Sequence, residues 1–302
     1  LINNGNRAMR PKSWTIKGLI KVTTDFLKEK QIESPRLTAE VLLSHLLNIN
    51  RVTLYLTLDQ PLNESEISGY RELIKRRLRR EPLQYITGIQ EFWSLDFIVD
   101  PQVLIPRPES ELLVEQAIER LKPAAVQGDH SPRILDLGTG CGALATVLAK
   151  EIPRSQIWAT DVSRTAIDIA RINAEKHGVS RKIEYIQGDL WQPLRDKDIT
   201  FDLIVSNPPY VSAEEYEDLP PEVRSYEPRL ALDGREGGFY FIREIIERSP
   251  DFLNPGGWLL LEMAPNQTDR ALELLECIDT FDKKMRIKDY SHRYRVVCAQ
   301  YR

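Results

Sequence analysis

The stretch RILDLGTGCGALATVLAK, residues 133–150, decides the fold. It opens as a strand, with Ile134, Leu135 and Leu137 apolar. It closes as a helix from about Ala143. Between them stand Gly138, Gly140 and Gly142. Glycines permit a tight turn and remove side chains that would block a ligand. The first helical turn beyond them offers unpaired N–H groups. The spacing fits G-x-G-x-x-G/A, with Ala143 in the last place, which marks strand–turn–helix units that bind dinucleotides.

Outward from this stretch the pattern repeats. RILDLG, QIWATD, KIEYIQGD, FDLIVSNPPY and GWLLLEM are five short apolar runs, most of them separated by helical segments. That alternation predicts a parallel sheet covered on both faces. MRIKDY and RYRVVCAQY offer two further strands. Upstream, GIQEFWSLDFIVD carries Phe92, Leu95, Phe97 and Val99 and reads as a β-hairpin. Pro106 and Pro108 hold the next segment extended, and a helical pattern begins at Glu109. Residues 13–80 read as a helical bundle. Trp14, Leu19, Val22 and Phe26 recur at helical intervals, as do Leu37, Val41 and Ser44, with Leu42 and Leu46 on the neighbouring stripe. Asn63 and Glu66 form a capping box, and Ile67, Tyr70 and Ile74 line one face. The expected division is a helical domain over 1–85, a hairpin and extended linker over 86–110, and an α/β domain over 111–302. LINNGNRA, ahead of Met9, is polar; we expect Met9 to be the natural start and leave residues 1–8 out of the fold.

Composition narrows the function. Hydrophobic residues make up 42% of the 302 and charged residues 28%, as in a soluble globular protein. The net charge of -4 argues against a binder of bare nucleic acid. Cys141, Cys277 and Cys298 are far apart and odd in number, which suits a reducing compartment and suggests no disulfide framework. His45, His130, His177 and His292 show no metal-ligand spacing, so no metal is expected. With no signal-like segment and no apolar run of ~20 residues, a cytoplasmic protein without membrane attachment is expected.

Three strand ends point to an adenosine. The glycine turn is the first. Asp161 ends the second strand about 20 residues on, placed to accept from ribose hydroxyls; its alternative role is a charge or cap for the helix starting near Arg164. Asp189 ends the third strand, where an acid can accept from an adenine amino group or simply form a Gly-Asp turn. The fourth strand ends in NPPY, and this separates methyl transfer from hydride transfer. Asn207 offers a side-chain acceptor and the Pro208 carbonyl a second. Pro208 and Pro209 stiffen the turn, so the acceptors keep a set separation. Two fixed acceptors suit a planar NH2 group, against which Tyr210 can lie. Nicotinamide chemistry has no use for such a clamp; methyl transfer from S-adenosylmethionine does.

SPRLTAEVLLSHLL, EPLQYITGIQEFWSLDF, VLIPRPESELLVE, LDLGTGCGALA, SNPPYV and YEPRLALDGREGG together resemble the peptide-chain release factor N5-glutamine methyltransferases, the PrmC/HemK family. NPPY alone is shared with amino-methyltransferases of DNA; EPLQYITG with IPRPE is far more specific. The resemblance implies a Rossmann-like class I methyltransferase domain with a seven-stranded, mostly parallel sheet, preceded by a helical substrate-recruiting domain. It implies cofactor contacts at Gly138, Thr139, Gly140, Cys141, Gly142, Asp161, Asp189, Leu190 and Asn207. It implies a substrate clamp at Asn207, Pro208, Pro209 and Tyr210, with Asn207, Pro208 and Tyr210 catalytic. The implied substrate is the glutamine of the GGQ loop in class I release factors, and the enzyme is expected to act as a monomer.

Two departures stand out: Ser110 where the family usually has threonine, and DGREGGFY where a different glycine–aspartate pattern is usual. The alternatives are a ribosomal-protein glutamine target or an amino group of a nucleic-acid base. KRRLRR, residues 75–80, reads first as a solvated helix face, with contact to a release factor or ribosomal RNA as the alternative. Tyr226 and Glu227 read equally as pocket or turn, and Trp191 as core or pocket rim.

Overall fold

The computed structural model describes residues 14–127 and 131–302, so the expected start at Met9 lies outside the described residues. The chain divides into two compact units that meet between Thr87 and Gly88.

The first unit is helical: α1 (Ile16–Glu29), α2 (Pro35–Leu47), α3 (Arg51–Leu56), α4 (Glu64–Leu78) and α5 (Leu83–Thr87). Side-chain oxygens start three of these helices. Thr15 accepts from the Gly18 N–H, Asn50 from Thr53, and Asn63 from Glu66 in the expected capping box. The core gathers Ile16, Leu27, Leu42, Leu43, Leu54 and Tyr70. The expected face of α1 is corrected. Trp14, Val22 and Phe26 are exposed, while Ile16, Leu19, Ile20, Thr23 and Leu27 are buried. In α2, likewise, Leu37 is exposed and Leu42 and Leu43 are buried. Each helix carries two apolar stripes, and periodicity alone does not choose between them.

KRRLRR is also more than a solvated face. Arg77 is buried and donates to the Glu81 carbonyl at 3.2 Å. Arg76 pairs with the Glu81 carboxylate, and Arg80 donates to the carbonyls of Gln31 and Lys30 just past α1. Arg77 and Arg80 thus donate to backbone carbonyls of the segments that follow α4 and α1.

The second unit begins with the hairpin β1 (Ile89–Phe92) and β2 (Leu95–Ile98). After the proline segment, a 3-10 turn at Pro108–Ser110 delays the helix α6 (Glu111–Gln127) by two residues from the expected start. Alternation follows through β3 (Arg133–Leu137), α7 (Ala143–Glu151), β4 (Gln156–Asp161), α8 (Arg164–Lys176), β5 (Ile183–Gln187) and β6 (Phe201–Ser206). Two short helices, α9 (Ala213–Glu217) and α10 (Pro221–Tyr226), precede α11 (Tyr240–Arg248), β7 (Leu253–Glu262) and α12 (Thr268–Glu276). β8 (Phe281–Lys288) and β9 (Tyr294–Tyr301) close the unit.

The seven strands run in the order β5-β4-β3-β6-β7-β9-β8, parallel except for β9 against both its neighbours. From β3 the chain builds outward first to β4 and β5, then returns to β6 and β7 on the other side. The carboxyl ends of β3, β4 and β6 therefore meet at a switch point, where such sheets bind ligands. Ser206 closes the gap between β6 and β3 by donating to the Leu137 carbonyl at 2.6 Å.

The hairpin is held by this same unit. Glu111 accepts from the Trp93 N–H at 2.7 Å, and the buried Asn173 both accepts from Ile98 N–H and donates to its carbonyl. Trp191 belongs to the core: its ring stacks on Phe252 at 4.6 Å and its N–H reaches the Glu244 carbonyl. Among the described residues, no helix is long and apolar enough to cross a membrane.

Candidate active site

The switch point opens into a cavity enclosing about 1110 Å³ of space free of protein atoms, part of it open to solvent. Its floor is the glycine turn. Gly138, Gly140 and Gly142 all have positive φ. At Gly138 and Gly140 an added Cβ would meet nothing within 4 Å. These two glycines therefore leave open space for a ligand, whereas Gly142 serves packing. A Cβ on Gly142 would stand 2.8 Å from that of Ala170 in α8.

Carboxylates fasten the turn. Asp136 accepts from the Thr139 hydroxyl at 2.6 Å and the Ala145 N–H at 3.2 Å, which holds the start of α7. Asp161 accepts from the Gly140 N–H and from the Ser163 N–H, each at 2.9 Å. The cap of α8 is the Ser163 hydroxyl, which accepts from Ala166, so capping falls to Ser163 and Asp161 faces the glycine turn. Each Asp161 oxygen keeps a second lone pair for a ligand. Asn173 donates to the Cys141 carbonyl at 2.9 Å, tying the turn to the hairpin whose Phe92 lines the cavity. Burial pushes the Cys141 thiol up to about 12, so it stays neutral and is no nucleophile. Asp189 and Leu190 form the far wall, with Leu190 at a φ of 43°.

The opposite wall is the end of β6. Asn207, Pro208 and Pro209 line the cavity together with Ser110, Leu104 and Pro106 of the proline segment. The Asn207 side-chain N–H donates to Ser110 Oγ at 3.0 Å, and the Ser110 hydroxyl donates to Glu262 Oε2 at 2.6 Å. Tyr210 does not line the cavity. Its half-buried ring packs against the sheet core, and burial, together with the nearby Glu262 carboxylate, pushes its phenol up.

The departure at DGREGG has a structural reason. Val211 N–H donates to the Leu232 carbonyl and Gly234 N–H to the Val211 carbonyl, so this loop runs alongside NPPY. A Cβ at Gly234 would stand 2.7 Å from Tyr210 Cα. Gly234 and Gly238 let the loop backbone touch the backbone of the NPPY turn. Gln267 bonds both strands of the contact, donating to the carbonyls of Tyr210 at 2.8 Å and Gly238 at 2.9 Å. Glu227 is structural: it pairs with Arg107 at 2.5 Å and accepts from the Ile105 N–H.

Two fully buried acids are raised far from their ordinary values. Burial pushes Glu262 up to about 7 from an ordinary 4.5, against the Ser110 hydrogen bond and the Arg295 charge. It pushes Asp136 likewise to about 7 from 3.8, against the hydrogen bonds of Thr139 and Ala145. Both are raised above their unfolded values, so the unfolded chain loses these protons first. Their favourable contribution is complete below about pH 4 and is lost as pH rises through about 7. For Glu262 the loss is ~3 kcal/mol. Urea unfolding at pH 5 and pH 8 is expected to show lower stability at the higher pH, and Glu262→Gln to flatten the slope. An equal slope in that variant would contradict the assignment.

The cavity thus gathers Gly138, Thr139, Gly140, Cys141, Asp161, Asp189, Leu190, Asn207, Pro208 and Pro209 in its wall, and leaves Gly142 and Tyr210 outside it. Sequence reading missed Asn173, Gln267 and Glu262. Of these, Glu262 carried a signal: an acid ending the otherwise apolar run GWLLLEM at the carboxyl edge of a buried strand.

Two family descriptions match the chain: PrmC N-terminal domain over residues 19–88 and Methyltransferase small domain over residues 110–219. A release factor glutamine methyltransferase from Geobacter sulfurreducens is 46% identical over 263 residues, 87% of this chain and 89% of that protein. Another from Rhodopirellula baltica is 40% identical over 287 residues, 95% and 96% of the two chains. Among solved structures, the hMettl16 catalytic domain in complex with the MAT2A 3′UTR hairpin 6 aligns with a TM-score of 0.57. It covers 74% of this chain and 81% of that one at 18% identity, a likeness of fold alone. With such similarity running through both units and nearly the whole length of those relatives, the chain belongs to the release factor glutamine methyltransferase family.

Proposed function

We propose that the chain moves a methyl group from S-adenosylmethionine to the side-chain amide nitrogen of a glutamine, that of the GGQ loop in a class I peptide-chain release factor. The observation that carries this reading is Asn207, set at the end of a buried strand in the wall of the same cavity as the glycine turn. The open space over Gly138 and Gly140 fits the cofactor. Asp161 would accept from its ribose hydroxyls, and the Asp189–Leu190 turn would face its adenine.

When bound, S-adenosylmethionine supplies an electrophilic methyl group on sulfur. The chain must then make a poor nucleophile act. An amide nitrogen shares its lone pair with the carbonyl, the resonance that keeps peptide bonds planar. Asn207 Oδ1 and the Pro208 carbonyl accept the two N–H bonds and favour positive charge arriving on nitrogen. Holding nitrogen in line with the methyl group supplies much of the rest, up to ~7–11 kcal/mol in favourable cases. Nitrogen takes the methyl group as the carbon–sulfur bond breaks, leaving S-adenosylhomocysteine, and then sheds to water a proton that is acidic at that stage, so no strong base is needed beforehand. Tyr210 braces the clamp from behind: its carbonyl is fixed by Gln267 and its ring is packed on the core.

The helical unit takes the role of substrate recruitment in this reading, and the enzyme works as a cytoplasmic monomer. A fragment comprising residues 88–302 is expected to bind S-adenosylmethionine and to methylate intact release factor at least about tenfold more slowly, as befits lost remote binding energy. Full activity of the folded fragment would refute that role. The function itself is tested by labelled methyl transfer to a class I release factor, a ribosomal protein and a DNA oligonucleotide side by side. Incorporation into release factor alone is expected; preferential labelling of either other substrate would overturn the proposal.

A further inference from the structure

We infer that Ser110 and Glu262 are positioning residues that set which end of the Asn207 amide faces the substrate. The inference rests on the proposed amide-clamp role of Asn207. Three segments far apart in the chain, the 3-10 turn before α6, the end of β6 and the end of β7, bring these side chains into one line.

The line has a direction. An ionised carboxylate only accepts, so Glu262 takes the single hydroxyl proton of Ser110 across 2.6 Å, a separation usual for a charge-assisted bond. The Ser110 lone pairs are then what Asn207 meets at 3.0 Å. Only the NH2 end of the amide can approach them; its oxygen there would set two acceptors against each other. Oδ1 is therefore the end left for a ligand. The side-chain amide of an asparagine is nearly symmetric in shape, and packing alone does not choose its orientation. Here a buried charge two residues away in the hydrogen-bond line chooses it. Glu262 and Ser110 are both buried, so water does not compete for these bonds.

Protonating Glu262 removes the choice. The carboxyl can then donate to Ser110, whose own proton turns free to meet the Asn207 oxygen, and the amide can present NH2 to a substrate that also offers only NH2. The groups that face Glu262 are Ser110, the guanidinium groups of Arg295 and Arg107, the Glu109 carboxylate and the Tyr210 phenol. The arginines favour its ionised form and Glu109 opposes it. Methyl transfer therefore rises with pH as Glu262 ionises, although the substrate amide itself does not titrate in that range.

The test uses the full chain with Ser110→Ala, Ser110→Thr and Glu262→Gln. Ser110→Ala is expected to lower kcat about tenfold or more, the effect of one unmade buried hydrogen bond. Its cofactor affinity should change less than about twofold, because Ser110 lies on the Asn207 side of the cavity. Ser110→Thr, which keeps the hydroxyl, should restore kcat. Glu262→Gln should erase the inflection in the pH–rate profile. The Asn207 side-chain 15N amide signal gives a readout that needs no substrate. Its protons should exchange slowly in the wild type and in Ser110→Thr, and fast in Ser110→Ala. A wild-type protein inactive on release factor would defeat the proposed function, while this signal would still decide the present inference. Unchanged exchange in Ser110→Ala, or an inflection that persists in Glu262→Gln, would overturn it.

Discussion

Asn207→Ala is expected to bind S-adenosylmethionine nearly as the wild type does and to transfer methyl groups about 10²–10³ times more slowly, the usual cost of one preorganised contact at a reacting centre. The split follows from position. The glycine turn, Asp161 and the Asp189–Leu190 wall, which in the proposed function hold the cofactor, are all left intact. What is lost is the acceptor proposed for the substrate amide, an interaction that would be stronger in the transition state than before it. The fold should tolerate the change, because Asn207 is only half-buried and, among the described residues, its side chain bonds Ser110 alone. Asn207→Asp sharpens the point: a carboxylate would face the Ser110 lone pairs and lie near Glu262, so this variant too should be slow. Single-turnover rates at saturating cofactor and release factor, with calorimetric cofactor affinities, check both. Near-normal transfer by Asn207→Ala would reduce NPPY to a rigid turn.

The second large effect is expected at Gly238. Its φ is 82°, and an added Cβ would fall 2.3 Å from the Tyr210 carbonyl oxygen and 2.7 Å from Gln267 Nε2. A left-handed alanine costs about 1–2 kcal/mol, and forcing the packed backbones apart about 1–3 more. Gly238→Ala should therefore lose on the order of 3 kcal/mol of stability and much of its methyl transfer, since the displaced atoms belong to the clamp turn. Gly237→Ala is the internal control. That residue has a φ of 67° with nothing within 4 Å of an added Cβ. It should lose only the conformational cost, about 1 kcal/mol. Urea midpoints that coincide for the two variants would show that the contact with Tyr210 carries no strain.

These two sites also mark how far the sequence could be read. The α/β alternation, the glycine turn and the NPPY strand end are local patterns, in which strand, turn and helix signals follow one another within about ten residues. Such signals survive without tertiary knowledge. What stayed hidden depends on residues far apart in the chain. Glu262 meets Ser110 only because α6, with the turn before it, packs against β7, and Gly238 meets Tyr210 only because the loop after α10 folds back. The face of α1 was misjudged for a related reason. Its two apolar stripes are equivalent until α2 packs against one of them. KRRLRR reads as a solvated run because no local pattern shows that Arg77 and Arg80 bind backbone carbonyls of the segments that follow α4 and α1. Tyr210 was expected against the substrate because it adjoins the clamp in sequence. The turn through Pro208 and Pro209 instead directs its ring toward the core.

The most direct test is to locate the methyl group. Purified class I release factor is reacted with the enzyme and isotopically labelled S-adenosylmethionine, and its peptides are then sequenced by tandem mass spectrometry. One labelled methyl group on the side-chain nitrogen of the GGQ glutamine is the predicted result. A methyl group on any other residue, or an unlabelled release factor in a reaction whose enzyme binds cofactor, would contradict it.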